Sequence, residues 1–517
     1  MMLPATPLAD FPARLSDIPR RWNGQTPDAP ALHENGVVWS YARLWAAVEA
    51  GADLLRELDV RPGDRVMVVG ENCAAQVALI FAAALVDAWV VVVNARLSAR
   101  EMEVIRDHCQ ARRMIFTGPT ASAAHAHGAR VAAVSREVEL VGGLSIGPLN
   151  TACSAEPVAT SNAEQVAALI YTTGTTGHPK GVMLTHRNLL FVADGSGCLR
   201  ELTQQDRVYG VLPISHVFGL ASVMLATLYA GACLYLVPRY SAEALQTALA
   251  QDGITMLQGV PAMYARLLEM PRQSGERIKA PALRFIYAGG SALDPALKAA
   301  VEQLFGKPLH NGYGMTESSP TISSTRMDAP RTDASAGMVA PGVEIRLVDS
   351  HDQEVSPGEP GELWVRGPNV MKGYYREPAL TAGVMREGGW LNTGDVARLE
   401  SDGALFIVGR TKELIIRSGF NVYPAEVEAA LNAHPAVTQS AVVGRRVADG
   451  NEEVVAFIEV HPSRTVTVAE LQAYLATLLS PYKCPSIITI LPVLPAAATG
   501  KILKGELKNL AQQMYGK

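Results

Sequence analysis

Residues 171–181 read Tyr-Thr-Thr-Gly-Thr-Thr-Gly-His-Pro-Lys-Gly, which puts four threonine hydroxyls, three glycines and one lysine into a single turn-forming run. Side-chain and backbone donors come together there with no carboxylate nearby, a set suited to phosphate oxygens. The spacing Gly174-x-x-Gly177-x-x-Lys180 is not the G-x-x-x-x-G-K-[ST] of a P-loop, so P-loop transfer of a terminal phosphoryl group is not the reading. The plain alternative is a Thr/Gly-rich surface loop. Further candidates stand downstream: Glu317 in Tyr-Gly-Met-Thr-Glu, Asp395 after Thr393-Gly394, and Lys501 in Thr-Gly-Lys. Each has a bland reading when taken alone, as a helix cap, a turn carboxylate and a solvated charge.

The elements that must hold these residues alternate. Ser40 can cap a helix over 41–58, and 66–69 reads as a short buried strand after Pro62-Gly63. Ser241 caps a helix ending at Asp252-Gly253, 254–257 is strand-like, Pro261 opens another helix, and 285–288 is strand-like again. Asp294-Pro295 starts a helix that stops at Gly306. Such alternation predicts an α/β fold of stacked βαβ units on mostly parallel sheets. After about residue 335 the strands come closer together, at 343–348, 362–366 and a hairpin turning at Asp402-Gly403, which predicts a β-rich subdomain. Beyond Arg410 a small α+β set follows: a helix over 425–432, strands at 440–443 and 454–460, and a helix with the capping box Thr467-x-x-Glu470. The domains are therefore read as 1–409 and 410–517, divided between Gly409 and Lys412. With no low-complexity linker between them, a hinge rather than a tether is expected.

At 517 residues the chain exceeds what one hydrophobic core usually supports. A net charge of −5 with interspersed signs and no basic block argues against nucleic acid as the main partner. The six cysteines include no C-x-x-C pair and no accompanying histidine cluster, so they read as reduced thiols of a cytoplasmic protein. Asp10, Arg14 and Asp17 break up any signal-peptide core. Residues 217–237 carry no charge over a length that could span a bilayer, but Gly219, Gly231 and Pro238 divide them into a buried helix near 220–229 and a buried strand near 232–237. Residues 74–93 are interrupted by Gln76 and Asp87. Both stretches are read as core, with no integral membrane segment.

The 171–181 run resembles the phosphate-binding signature of adenylate-forming enzymes, the superfamily of acyl-CoA synthetases, luciferases and peptide-synthetase adenylation domains. The resemblance continues in the family's order at Asn311-Gly-Tyr-Gly-Met-Thr-Glu317, Thr393-Gly-Asp395, Gly409-Arg-Thr-Lys-Glu413, Gly419-Phe-Asn-Val-Tyr-Pro424 and Thr499-Gly-Lys-Ile-Leu-Lys504. Two departures stand out: Thr173 where the family usually has Ser, and Ser418 where it often has Gly. In appearance the chain is most similar to bacterial fatty-acid or aryl acid:CoA ligases.

The resemblance implies roles. Thr172, Thr173, Gly174, Thr175, Thr176 and Lys180 would wrap the β- and γ-phosphates of ATP, Thr316 would meet the α-phosphate, and Glu317 would hold Mg²⁺. Asp395 would accept from both ribose hydroxyls. Gly289, Gly290 and Ser291 would let the adenine slide close, with Tyr313 on its ring and Asn311 beside it. Arg410 would contact ribose or phosphate. Lys501 would bridge the α-phosphate and the substrate carboxylate during adenylation, and Lys412 would be the hinge about which the C-terminal domain turns, bringing Gly419 to the path of the CoA pantetheine. His216 would lie beside the substrate carboxylate, with Val217, Gly290, Gly314, Met315, Pro320 and Thr321 around the acyl group. No basic residue stands among those positions, which favours an apolar acid over a dicarboxylate. The expected cofactors are ATP and Mg²⁺ with CoA as co-substrate, and the expected activity is ligation of a small carboxylic acid to CoA through acyl-AMP. Loading of a carrier-protein pantetheine shares every motif and stays open, as does a homodimer; a non-catalytic nucleotide-binding protein would have no need of Lys180, Glu317, Asp395, Arg410 and Lys501 together.

Overall fold

The structure is a computed structural model that describes residues 7–117, 122–173, 179–270, 278–417, 420–447, 451–461, 464–496 and 502–515. Two large sheets have parallel centres. One runs in the order Met338–Val339, Ser323–Ser324, Leu309–Tyr313, Phe285–Ala288, Met256–Gly259, Arg207–Gly210, Cys233–Leu236, Pro30–Glu34, Val37–Ser40, and the strands from Leu309–Tyr313 to Pro30–Glu34 are parallel. The other runs Gly373–Tyr374, Pro179–Thr185, Val166–Thr173, Trp89–Asn94, Arg65–Gly70, Arg113–Thr117, Gly142–Ile146, Val134–Val138, with its four middle strands, Val166–Thr173 to Arg113–Thr117, parallel.

Residue type explains this layering. Trp89–Asn94 is a β-branched run buried on both faces, as a parallel strand between helical layers must be. Ala74–Leu85 is alanine-rich and covered all round, so neighbouring backbones approach closely; a Cβ on Gly51 of helix Tyr41–Glu57 would already stand 3.0 Å from the Cβ of Ala82. Helix starts and stops follow their caps. Ser40 accepts from the Arg43 amide, Ser241 from that of Ala244, and Asp294 from those of Ala296 and Leu297, while Gly306 closes its helix in the left-handed region at φ 65°.

The uncharged stretch 217–237 folds as a buried π-helical segment Phe218–Leu225, a turn of α-helix Ala226–Tyr229 and strand Cys233–Leu236. No helix among the described residues is long and apolar enough to cross a membrane. The β-rich subdomain is a five-stranded antiparallel sheet in which Trp390–Leu399 pairs with Gly361–Arg366 on one side and Leu405–Arg410 on the other. The C-terminal domain has a three-stranded sheet, Val437–Arg446, Glu452–Val460 and Ile487–Leu491, a hairpin of Ile415–Arg417 with Phe420–Val422, and helices Pro424–Asn432, Val468–Ala476 and Lys504–Tyr515. Its second helix opens on the expected capping box of Thr467 and Glu470.

Candidate active site

Strands Val166–Thr173 and Pro179–Thr185 are antiparallel partners, with Thr172 opposite Lys180 and Thr173 opposite Pro179, so the Thr/Gly run is held at both ends by one ladder. Gly174, Thr175 and Thr176 lie outside the described residues. Tyr171 is packing: a Cβ on Gly181 would sit 3.2 Å from its ring. Strand Gly373–Tyr374 joins the same ladder, Tyr374 opposite Val182. That pairing sets the Lys180 ammonium 5.1 Å from the centroid of the Tyr374 ring, and the Tyr374 hydroxyl donates to Glu317 Oε1 at 2.8 Å. Lys180 and Glu317 thus meet on one tyrosine. Burial pushes the Tyr374 phenol well above its ordinary value and the Glu317 carboxylate adds to the shift, so the hydroxyl remains a donor.

Thr316 and Glu317 sit buried in a short 3-10 turn, Thr316–Ser318, anchored where the Met371 amide donates to the Glu317 carbonyl at 2.9 Å. Ser318 accepts from the Met315 amide at 3.0 Å. With Oε1 taken by Tyr374, Oε2 is the Glu317 oxygen that would hold a cation. Among the described residues no group of three or more His, Cys, Asp or Glu side chains assembles, so this donor set suits an ion held mainly by substrate phosphate, as Mg²⁺ commonly is.

Four residues before Glu317 the same segment reaches Asp395. The Tyr313 hydroxyl donates to Asp395 Oδ2, and Arg410 Nε pairs with Asp395 Oδ1 at 3.0 Å across the ladder that sets Asp395 opposite Arg410. Burial raises the Tyr313 phenol far above its usual value, with the Asp395 charge next in effect. Gly289 and Gly290 follow strand Phe285–Ala288; Gly289 rests on Tyr287 and Phe218, where a Cβ would come within 3.0 Å and 3.2 Å of ring carbons, and Gly290 has φ 85°. Ser291 is exposed beside them. Asn311 is turned the other way: its amide nitrogen donates to the Ser335 carbonyl at 3.0 Å and that of Ala334 at 3.3 Å, holding the 334–335 loop with only its oxygen left for a ligand.

Among the residues expected around the acyl group, a Cβ on Gly314 would overlap the Pro320 carbonyl oxygen at 1.2 Å, so two segments press together there as only glycine allows. Thr321 Oγ1 lies 3.4 Å from Ser222 Oγ, and Met315 is half-buried next to Gly314. His216 is exposed, and its Nδ1 accepts from the Phe218 amide at 3.3 Å. Its loop is fixed by Asn72, which accepts from the Ile214 amide at 2.9 Å and donates to the carbonyls of Gly210 and Leu212. Val217 next to it is buried in the core.

Lys412 is exposed between two anchors. Thr411 Oγ1 donates to Glu362 of the β-rich subdomain at 3.0 Å, whereas Glu413 is paired at 2.8 Å with Lys504 of the last helix, and Lys504 also pairs with Glu428 at 2.8 Å. Burial works against the Lys504 charge, but Glu428 and Glu413 outweigh it and raise its pKa. Gly419 and Lys501 lie outside the described residues. Beside them, Arg417 pairs with Phe420 and Ala496 bridges Ile502.

Sequence reasoning missed Tyr374. Gly373-Tyr-Tyr-Arg376 carries no polar pattern of its own, and only the pairing of 373–374 with 182–183 takes it to the site.

Residues 19–375 match the family model of AMP-binding enzyme, and residues 426–501 match that of the AMP-binding enzyme C-terminal domain. A feruloyl-CoA synthase of Amycolatopsis sp is 34% identical over 496 residues, which cover 96% of this chain and 98% of the relative. Among solved structures, ATP-bound MatB from Rhodopseudomonas palustris is similar with a TM-score of 0.85 at 28% identity, over 97% of this chain and 99% of that one. The o-succinylbenzoate coenzyme A synthetase of Bacillus subtilis, in complex with ATP and magnesium ion, gives a TM-score of 0.79 at 29% identity over 95% and 99% of the two chains. With both family matches in this order, and a site that joins Lys180, Glu317, Tyr313 and Asp395, the chain belongs to the AMP-binding enzymes of the adenylate-forming superfamily.

Proposed function

We propose that the chain is an AMP-forming carboxylate–CoA ligase acting on an apolar, aryl-bearing acid. One observation carries this reading: the single segment from Tyr313 to Glu317 touches Asp395 at one end and at the other Tyr374, which also lies against Lys180, an arrangement that suits a nucleotide held from ribose to terminal phosphates. An oxygen of the acid attacks the α-phosphorus of ATP, the new bond to phosphorus forms the acyl-adenylate, and pyrophosphate leaves. The CoA thiol sulfur then attacks the acyl carbon, a thioester forms, and AMP leaves with the carboxylate-derived oxygen.

Lys180 and the 172–176 hydroxyls bind the outer phosphates, Thr316 orients the α-phosphate, and Asp395 holds the ribose, with Tyr313 and Arg410 keeping its carboxylate in place until the hydroxyls arrive. Glu317, oriented by Tyr374, would hold Mg²⁺, which neutralises phosphate charge when bound. Lys501 serves adenylation and Gly419 the thioester step, so the C-terminal domain turns between them. Lys412 is the pivot, because Thr411 is tied to one domain and Glu413 to the other. The boundary then falls at Lys412, with Arg410 still in the β-rich subdomain's ladder.

An aryl acid is supported by the aromatic wall of Phe218 and Tyr287 under Gly289, and by the acids named for the relatives above. A cytoplasmic location is supported by six free thiols, four of them buried. The test is Lys501→Ala: acid-dependent pyrophosphate exchange should be lost, while a supplied acyl-adenylate is still converted to acyl-CoA. Equal loss of both half-reactions in a folded variant would contradict the assignment.

A further inference from the structure

His108 stands in the last turn of helix Ala99–Cys109, half-buried between two tyrosines. Its ring meets those of Tyr171 and Tyr375 edge-on, at 5.7 Å and 5.9 Å between centroids, and its Nδ1 shares a 2.7 Å hydrogen bond with the Tyr171 hydroxyl. The turn that carries it is fixed. Gln110 closes the helix in the left-handed region at φ 48°, and the Cys109 carbonyl accepts at 2.9 Å from the fully buried Arg65, whose guanidinium also lies 5.7 Å from the centroid of the Tyr375 ring.

Both tyrosines hold one glycine. Tyr171 is the ladder partner of Gly181 and covers it with its ring, and the Tyr375 amide donates to the Gly181 carbonyl at 2.8 Å. The chain neighbour of Gly181 is Lys180, and that of Tyr375 is Tyr374, the ring on which Lys180 and Glu317 meet. Successive side chains of a strand leave on opposite faces, and Tyr374 accordingly packs into one hydrophobic core while Tyr375 and Tyr171 pack into another. His108 thus braces the two segments from the face away from Lys180 and Glu317. We propose that His108 is a positioning residue for the ATP phosphates: through Tyr171 and Tyr375 it sets where Gly181 lies, and so where Lys180 and Tyr374 stand. This inference rests on the ligase reading above, which gives Lys180 the outer phosphates. Burial lowers the His108 pKa, with Glu377 opposing and Arg376 adding to the shift, and burial pushes the Tyr171 phenol well above its ordinary value. Both partners are therefore uncharged, and the expected effect is that of one neutral hydrogen bond.

The experiment is calorimetric titration of Mg²⁺-ATP, and separately of AMP, into the unmodified protein and its variants. Tyr171→Phe keeps the ring on Gly181 and removes only the hydroxyl; His108→Ala removes the other partner. Each should weaken ATP about three- to tenfold and leave AMP within about twofold, because AMP lacks the phosphates that Lys180 meets. His108→Asn, whose amide can stand where Nδ1 does, should recover most of the ATP affinity, and the double variant should be no weaker than His108→Ala, since both changes act through one bond. ATP binding within about twofold of the unmodified protein in Tyr171→Phe would overturn the proposal, and so would ATP and AMP weakened alike, the mark of a merely structural histidine. If His108→Ala does not fold, Tyr171→Phe decides alone by the same comparison of ATP with AMP. An unmodified protein that binds neither nucleotide would instead overturn the ligase reading, and this inference with it.

Discussion

Replacing Tyr374 with Phe removes one oxygen atom and tests the link between Lys180 and Glu317. The ring that Lys180 lies over, 5.1 Å away, stays in place, and so does its packing in the core. What disappears is a 2.8 Å hydrogen bond from a neutral donor to Glu317 Oε1. A bond of this type contributes about 1.5–3 kcal/mol. If that is felt in adenylation, kcat/KM for pyrophosphate exchange should fall by about 10- to 150-fold, with the Mg²⁺ concentration for half-maximal rate shifted upward. The thioester step from a supplied acyl-adenylate should change far less. Tyr374→Leu also removes the ring from Lys180 and should cost about a further 0.5–2 kcal/mol. Exchange rate and Mg²⁺ titration within twofold of the unmodified protein would refute the idea that Tyr374 orients Glu317.

Asp395→Ala deletes the buried acceptor and leaves Arg410 unpaired, a loss of about 2 kcal/mol or more that should raise the ATP KM about thirtyfold or more, checked by steady-state kinetics. Lys412→Pro should spare one half-reaction and collapse the other, because proline fixes φ between the Thr411 and Glu413 anchors; Lys412→Ala should leave both largely intact, and equal losses would point to a chemical role for the ammonium. For pH, burial lowers His186 to about 3 and His310 to about 4, the latter with help from Lys298. Both imidazoles protonate more readily in the unfolded chain, near pH 6.5, so stability is full above that value and is lost as pH falls from about 6.5 toward 4, by about 1.4 kcal/mol per pH unit for each group. Denaturant midpoints at pH 7.5 and 5 check this, and replacing His310 with Asn should flatten the slope.

Capped and punctuated elements were legible in the sequence, because their signals are local. Ser40, Ser241, Asp294-Pro295 and Thr467-x-x-Glu470 start helices where expected, and Asp402-Gly403 turns its hairpin with Gly403 at φ 84°. Strand edges were less so. The ladder expected at 254–257 runs from Met256 to Gly259, although the Thr255 amide still donates to the Arg207 carbonyl at 2.9 Å just before it. The site motifs were legible as residues but not as partnerships. Asn311 reads like a nucleotide ligand in its motif, yet its amide is committed to carbonyls more than 20 residues away. Tyr374 escaped because an aromatic after glycine is ordinary in sequence. Its meaning comes from strand pairing.

Labelled oxygen reads directly whether the acid is activated as an acyl-adenylate. With the carboxylic acid carrying ¹⁸O in both carboxyl oxygens, ATP, Mg²⁺ and CoA, the AMP released with acyl-CoA should carry one ¹⁸O, and the pyrophosphate none. Label in pyrophosphate or inorganic phosphate, or formation of ADP in place of AMP, would contradict it.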